Sequence, residues 1–416
     1  MAGLRTVSGI VLLLGALLQT PARGQSGLEL TGFGMIRPAP DVISQSMGSI
    51  TTIPGRTSGW LFSMPASWYN IRATQLQVSV EAGESQLGRF GSRNRSGPQS
   101  FHFLMHANRR TSYGLGIRPV TRLDMLFTDS SGVFFLPGDT LRYVQSRSAT
   151  GGISELVLGY SRRLRPSLSV GVTLNVLFGT VTQQDTISFL DQGSWTEPFP
   201  ISRAERRLEF TGRTLGLSLL ASVPPKSRGS LGLRVVLPIV LDLIEAQNYA
   251  TARSSLNPVR HKDVGTSRML ALGYGLDLGK RQRVMAELAI AQLAEDNKND
   301  LVFDQHLRSS LFMGAAWTLA PSGEEFILPG RLDYRMGFYR REYYLSGSQD
   351  GPLRETALSI GIGIRSVRFR HRLDLALQVG QRDSLLPDVL REDFYRVSIG
   401  ITTAELWFAR PKKEWD

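Results

Sequence analysis

The 416-residue chain has no cysteine and only 5 histidines. Without cysteine there is no disulfide framework, no thiolate metal site and no cysteine nucleophile. His102 and His106 are the only histidines that share a predicted strand face, and no carboxylate pair surrounds them at ligand spacing. No serine has the Gly-x-Ser-x-Gly setting of a nucleophile elbow. The pairs Gly114-x-Gly116, Gly273-x-Gly275 and Gly361-x-Gly363 lie inside alternating strands and open no helix, so they are not phosphate loops. Long apolar runs are missing too. The closest late segment, 231–244, is broken by Arg234, Pro238 and Asp242, which argues against a helical membrane bundle. These absences predict no enzyme, no cofactor, no metal and no catalytic residues.

Other features are abundant. Hydrophobic residues make up 42% of the chain, too many for a disordered one. Lys and Arg number 48 against 36 Asp and Glu, a formal net charge of +12. Such an excess ordinarily suggests nucleic acid. Residues 1–24 point elsewhere. Arg5 precedes an apolar stretch over 7–18, and Ala22 and Gly24 offer a small-residue cleavage site, as in a cleaved signal peptide. Export leaves no place for a nucleic-acid partner. A mean hydropathy of −0.09 suits a transmembrane β-barrel, because only alternate strand residues face lipid.

From residue 73 the chain alternates with period two. Leu168, Val170, Val172, Leu174, Val176 and Phe178 oppose Ser169, Gly171, Thr173 and Asn175. Leu358, Ile360, Ile362 and Ile364 oppose Ser359, Gly361, Gly363 and Arg365. One face is large and aliphatic; the other is glycine, serine, threonine and charge. That pairing suits lipid opposite lumen better than the two faces of a sandwich. About 14 such segments can be drawn, a number that closes an antiparallel barrel with both termini on one side. The connections alternate long and short. The long ones are 84–98, 129–150, 184–204, 246–265, 294–305, 345–353 and 382–391, with short turns between them. Outer-membrane barrels show this asymmetry, with short periplasmic turns and long external loops. The expected fold is an all-β, transmembrane antiparallel β-barrel of about 14 strands with an N-terminal hatch. Its divisions are a signal peptide (1–24), a hatch or plug (25–72), the barrel (73–409) and a periplasmic tail (410–416). The hatch is marked by Pro38, Pro40, Pro54 and Pro65 among scattered Gly and Ser, which do not read as strand.

Two stretches carry a family resemblance. Ser46-Met47-Gly48-Ser49 is followed by Met64-Pro65-Ala66-Ser67-Trp68 just before the first strand. Near the other end, Leu373-Asp374-Leu375, Gly380-Gln381-Arg382, Arg391-Glu392-Asp393-Phe394 and Trp407-Phe408-Ala409-Arg410 follow in order. These resemble the motifs of FadL-type outer-membrane transporters of fatty acids and other hydrophobic compounds, a wider set that includes PorV/PorQ-like barrels. Met64 stands where that family usually has Asn, and Ser49 where it has a second Gly. The resemblance implies 14 strands and a hatch carrying Met47, Gly48, Pro65, Ala66 and Ser67. It also implies passive uptake of a hydrophobic molecule, with lateral release through a gap at a kinked third strand.

A wall gap needs a failure of ladder hydrogen bonds, and proline supplies one because it lacks an N–H. The predicted third strand holds Gly116 and Pro119, the candidate kink and gap; Pro238 in the seventh is a rival. Phe134, Phe135, Phe189, Trp195 and Phe199 are candidates for an external apolar catch, or for loop packing and the interfacial aromatic girdle. The expected partners are a hydrophobic small-molecule ligand, lipid or detergent, and outer-membrane lipids, with a monomer favoured. The alternative is a PorV/PorQ-like barrel that serves a protein secretion system as an interaction partner and has no continuous apolar route past the hatch. Much of the basic excess lies in the short turns, at Arg109 and Arg110, Arg162, Arg163 and Arg165, and Lys280, Arg281 and Arg283. It marks a rim facing anionic headgroups.

Overall fold

The computed structural model describes residues 35–37, 39–86, 92–136, 139–190, 201–223, 228–249, 254–255, 259–262, 267–293, 309–321, 332–346, 352–365, 371–383 and 391–405. The expected signal peptide and C-terminal tail lie outside them. Fourteen strands form the wall. They are β1 Thr74–Gln86, β2 Ser92–Asn108, β3 Thr111–Pro119 continued as Thr121–Leu136, β4 Asp139–Arg165, β5 Leu168–Phe189 and β6 Ser202–Val223. Then come β7 Gly229–Tyr249, β8 Ser267–Asp277, β9 Gln282–Leu293 and β10 Ser310–Leu319. The last four are β11 Leu332–Ser346, β12 Pro352–Arg365, β13 Arg372–Asp383 and β14 Arg391–Glu405. Each pairs antiparallel with its sequence neighbour, and β14 closes on β1 from Asp393↔Gln86 to Glu405↔Thr74. Closure leaves no lipid-facing backbone edge along that seam. Two short strands, Ser254–Ser255 and Val259–Lys262, fold back onto the upper part of β7.

The faces are inverted relative to a soluble protein. Outward residues on β12 include Leu358 and Ile360, 57% and 51% exposed, while inward Ser359 is buried. The same holds for Leu270 and Leu272 around buried Ala271 on β8, and for Leu375 and Leu377 around buried Ala376 on β13. This outward apolar belt defines a membrane-spanning barrel.

The wall is taller than the sequence pattern suggested. Residues 129–150, expected as a loop, are mostly strand. The outer arm of β3 pairs with β4 from Leu123↔Gly151 to Leu136↔Asp139. A membrane crossing needs roughly 9–11 tilted residues, so β4, β5 and β6 extend well beyond the belt. There the outward face meets water instead of lipid, and the alternation that marks a strand fades.

The lumen is filled. Residues 39–73 lie inside the wall, with helix α1 Val42–Ser46 and a 3-10 turn Pro65–Asn70. Ile43, Met47, Ile50, Ile53, Leu61, Met64 and Ala66 form one buried cluster with Met285 and Ala316 of the wall. Trp60, Phe62, Trp68 and Ile71 form a second with Leu104 and Val157. The inward glycines are explained by this plug. Gly114 and Gly159 flank the Trp68 ring, and Gly337 lies against the backbone of Met47 and Gly48, where no side chain fits.

Candidate functional site: the plug and the interrupted seam between β2 and β3

The plug is held by capping and by charge. Asp41 caps α1, its Oδ1 accepting from the Ser44 N–H at 2.7 Å. The helix ends in two left-handed residues, Gly48 at φ 61° and Ser49 at φ 58°, and the Ser49 N–H returns to the Ser44 carbonyl at 2.9 Å. Glycine adopts this conformation freely, and here it also allows contact with Gly337. Next, inward Glu287 of β9 grips the plug. It accepts from the N–H groups of Thr51 and Thr52 at 2.7 and 2.8 Å, and from their hydroxyls at 2.8 and 2.6 Å. On β11 and β13, Asp333, Arg335, Arg372 and Asp374 form a buried ion-pair network that donates to Ser46 at 3.1 Å through Arg335. Near the turns, Arg56 pairs with Asp277 at 2.8 Å.

The hatch-motif residues all fall in this body. Met47 and Gly48 end α1. Pro65 opens the 3-10 turn, the Ala66 N–H donates to Ser218 Oγ at 2.9 Å, and the Ser67 hydroxyl donates to the Met64 carbonyl at 2.7 Å. Met64 is fully buried between plug and wall. His102 faces inward, stacked on Phe62 with ring centroids 3.6 Å apart, and bonds Gln77 at 3.2 Å. Among the described residues no group of three metal-ligating side chains occurs.

The wall is interrupted above the plug. The β2–β3 ladder runs from Asn108↔Thr111 to Phe101↔Ile117 and stops. Farther up, β2 continues to pair with β1 as far as Gln86↔Ser92. Among the described residues, no pair joins that upper part of β2 to the outer arm of β3. Pro119 is the last residue before the interruption, and Gly116 faces Phe62 just below it. Val120 donates its N–H to the Ile153 carbonyl of β4 at 2.8 Å, so in a regular strand the N–H that Pro119 lacks would point to β2. β4 bends at the same height. Gly151 and Gly152 have φ of 110° and 149°, and a Cβ on Gly152 would collide with the Thr121 carbonyl.

The plug takes up the vacated position. Strand Met35–Ile36 pairs with β3 as Ile36↔Thr121 and Met35↔Arg122. The Arg37 N–H then donates to the Val120 carbonyl at 3.0 Å. The Arg37 guanidinium reaches the other lip, donating to the Pro98 carbonyl of β2 at 3.4 Å and pairing with Glu81 of β1 at 3.5 Å. One residue of the plug therefore touches both lips. Burial pushes its guanidinium down to about 10 while Glu81 pulls it up, so it stays charged at neutral pH.

Above the plug the lumen has two unlike walls. Leu123, Ile153, Val181, Leu208, Phe210 and Leu243 of β3 to β7 form an apolar cluster that meets Tyr343 and Leu353 of β11 and β12. On the β11–β14 side, buried Glu355 accepts from Tyr339 and from Tyr343, the latter at 2.8 Å, and pairs with Arg382 and Arg396 at 3.6 Å each. Phe394 lies between those two guanidiniums, 4.2 and 4.4 Å from its ring.

Of the proposed external catch, Phe189 ends β5 and meets Tyr143 edge-on at 6.2 Å. Phe134 and Phe135 pair through their backbones with Leu141 and Thr140 of β4. Trp195 and Phe199 lie outside the described residues. Pro238 sits beside a register shift in the β6–β7 ladder, which accommodates its missing N–H. Sequence reasoning missed Arg37, Glu81, Glu287 and Glu355. For the three glutamates the available signal was a charge at a lumen-facing position of an otherwise alternating strand, as in Leu373-Asp374-Leu375; Arg37, in the plug, had none.

A closed, plugged, antiparallel barrel with an apolar outer belt defines a bacterial outer-membrane β-barrel protein. The chain belongs to the BamG family, whose model matches residues 6–414. No curated protein matches it. Solved structures share its fold. The CymD monoaromatic hydrocarbon channel is 14% identical with a TM-score of 0.56, covering 89% of this chain and 99% of its own. The Ralstonia pickettii toluene transporter TbuX is 13% identical with a TM-score of 0.52 over 90% of this chain and 99% of its own. The Pseudomonas putida toluene transporter TodX is 11% identical with a TM-score of 0.54 over the same shares. The fold implied by the FadL-type resemblance is present, and the family that matches is BamG.

Proposed function

We propose that the chain is an outer-membrane channel for hydrophobic small molecules, which leave sideways between β2 and β3. The observation that carries this reading is the ladder that stops at Phe101↔Ile117 while both strands continue. An apolar solute gains about 0.8 kcal/mol per CH₂ on moving from water to lipid, so an exit into the bilayer is downhill where an aqueous pore is not. The apolar cluster around Phe210 and Leu243 lies next to that exit, so the barrel interior beside it is lined by apolar side chains. Three fold relatives are described as toluene or monoaromatic hydrocarbon channels, which supports a small apolar ligand. No enzymatic role is proposed. The test is uptake of labelled toluene by proteoliposomes. Entry above that of empty vesicles, abolished by cross-linking the two lips, is the expected result; entry at the empty-vesicle rate would overturn it.

A second reading is a barrel that partners a protein secretion system. It is favoured by the buried ion-pair network of the wall at Asp333, Arg335 and Asp374, which donates a hydrogen bond to Ser46 of the plug, and by the Glu355 network above. A plug locked by charge suits a permanently filled barrel. On this reading toluene entry stays at background, and the protein elutes from mild-detergent extracts in a fixed-stoichiometry complex with secretion-system subunits.

A further inference from the structure

The interruption between β2 and β3 is lined by guanidinium groups, which apolar cargo does not require. Arg37 bridges the lips, Arg122 of β3 lies over Gly97 of β2, and Arg95 of β2 is buried beside them. Arg396 of β14 stands behind, within electrostatic reach of Arg37, and is held by Glu355 and Gln378. Among the described residues, Glu81 and Asp124 are carboxylates facing this group. Among the described residues, Arg37, Arg95 and Arg122 thus meet at the break with two carboxylates, Glu81 and Asp124. Gly97 is part of the arrangement, because a Cβ there would displace the Arg122 guanidinium.

The height of the cluster identifies its ligand. Outward Tyr113, Leu115 and Ile117 of β3 are 44%, 38% and 42% exposed, and the break opens directly above them. Phe101 of β2 and Val78 of β1 border the same face. The cluster thus lies at the upper limit of the apolar belt, where lipid headgroups meet acyl chains. Arg37 is nine-tenths buried, and its Nε has no hydrogen-bond partner. Buried donors ordinarily have one. A phosphate offers several oxygens to several guanidiniums at once, in the bidentate geometry that Arg favours.

We propose that the β2–β3 break holds the phosphate of a membrane lipid on Arg37, Arg95 and Arg122, with the acyl chains lying along Phe101, Leu115 and Ile117. The site is a resident-lipid site. It requires the break to face the bilayer, as lateral release does, but no passage of a substrate. The same chemistry would accept free phosphate, and the test separates the two sources.

The purified protein in neutral detergent is offered dioleoyl phosphatidic acid, dioleoylglycerol or inorganic phosphate, and retained ligand is read by native mass spectrometry. Phosphatidic acid is expected to be retained about tenfold more than dioleoylglycerol, and to lose about that factor in Arg37→Gln/Arg122→Gln, since charge-assisted hydrogen bonds carry the difference. Arg203→Gln/Arg207→Gln, which removes two exposed guanidiniums paired with Glu205 and Glu209, serves as a charge-matched control and leaves retention unchanged. Slower gel migration of the unboiled protein relative to wild type would expose a misfolded double variant; Arg122→Lys then replaces it, keeping charge and losing bidentate geometry, with partial loss expected. Equal retention of phosphatidic acid and dioleoylglycerol, or no loss in the variants, overturns the site. Displacement of the lipid by millimolar inorganic phosphate overturns the lipid source. Toluene entry in the same variants is scored separately, so a missing lipid site and a missing transport activity remain distinguishable.

Discussion

Two seams flank the β1–β2 hairpin, and they behave oppositely. The β14–β1 seam joins the two ends of the barrel chain and is paired without a shift from Asp393↔Gln86 to Glu405↔Thr74. The β2–β3 seam lies within a continuous hairpin, yet it stops at Phe101↔Ile117. Chain connectivity therefore does not decide where the wall is weak. Local chemistry does. At the closing seam, β14 brings alternating Tyr395, Val397, Ile399 and Ile401 outward, and every backbone position can pair. At the open seam, Pro119 removes a donor, a register shift on β2 lies between Pro98 and Ser100, and Gly151 and Gly152 let β4 bend with β3. The plug then stands in for the missing neighbour through Met35, Ile36 and Arg37.

The sharpest way to break this contrast is to unseat the plug. Gly337→Leu would place a side chain against the backbone of Met47 and Gly48, which cannot shift as a side-chain tip can. Overpacking of this kind costs about 3 kcal/mol. Urea titration of the vesicle-embedded protein should show that loss, and planar-bilayer conductance should rise as the plug leaves. Unchanged stability and conductance would mean the lumen is looser than its glycines imply.

Glu287→Ala comes next. It leaves the Thr51 and Thr52 N–H groups without their acceptor, at a cost of about 2 kcal/mol. The same titration reads it, and Glu287→Gln should recover part of the loss. Arg37→Ala tests the open seam itself. Glu81 keeps other arginines within electrostatic reach, so the stability cost is that of the lost charge-assisted contacts, about 1.5 kcal/mol. Faster toluene entry is nevertheless expected, because the plug residue that touches both lips is gone. The smallest effect is that of Pro119→Val, which restores an N–H toward β2 and should strengthen the seam by about 1 kcal/mol and slow entry. Amide exchange at residues 96–101 would report the added protection.

The wall was legible in the sequence because each residue within the belt answers to one of two solvents. Leu358, Ile360 and Ile362 against Ser359, Gly361 and Gly363 is such a reading, and the structure places the first set outside and the second inside. The hairpin over 121–151 was not legible to its full length. Above the belt the outward face no longer answers to lipid, and the polar run Thr128, Asp129 and Ser130 lies in a strand whose sequence carries no period. Pro119 stood out because its chemistry is local. Arg37 did not, since its role depends on two strand lips about 60 and 80 residues away in sequence, which only the tertiary fold brings together. Glu287 and Asp374 hid in plain alternation as ordinary polar positions of a lumen face.

The central claim is that the wall opens between β2 and β3. A chain without cysteine makes the test clean, because the only thiols are those introduced. In Pro98→Cys/Val120→Cys, a bismaleimide cross-linker joins the two lips that Arg37 now spans. Toluene entry into proteoliposomes should fall to the empty-vesicle rate after cross-linking and stay near wild type when either cysteine is present alone. Entry that continues undiminished through a cross-linked seam would contradict lateral release at this site.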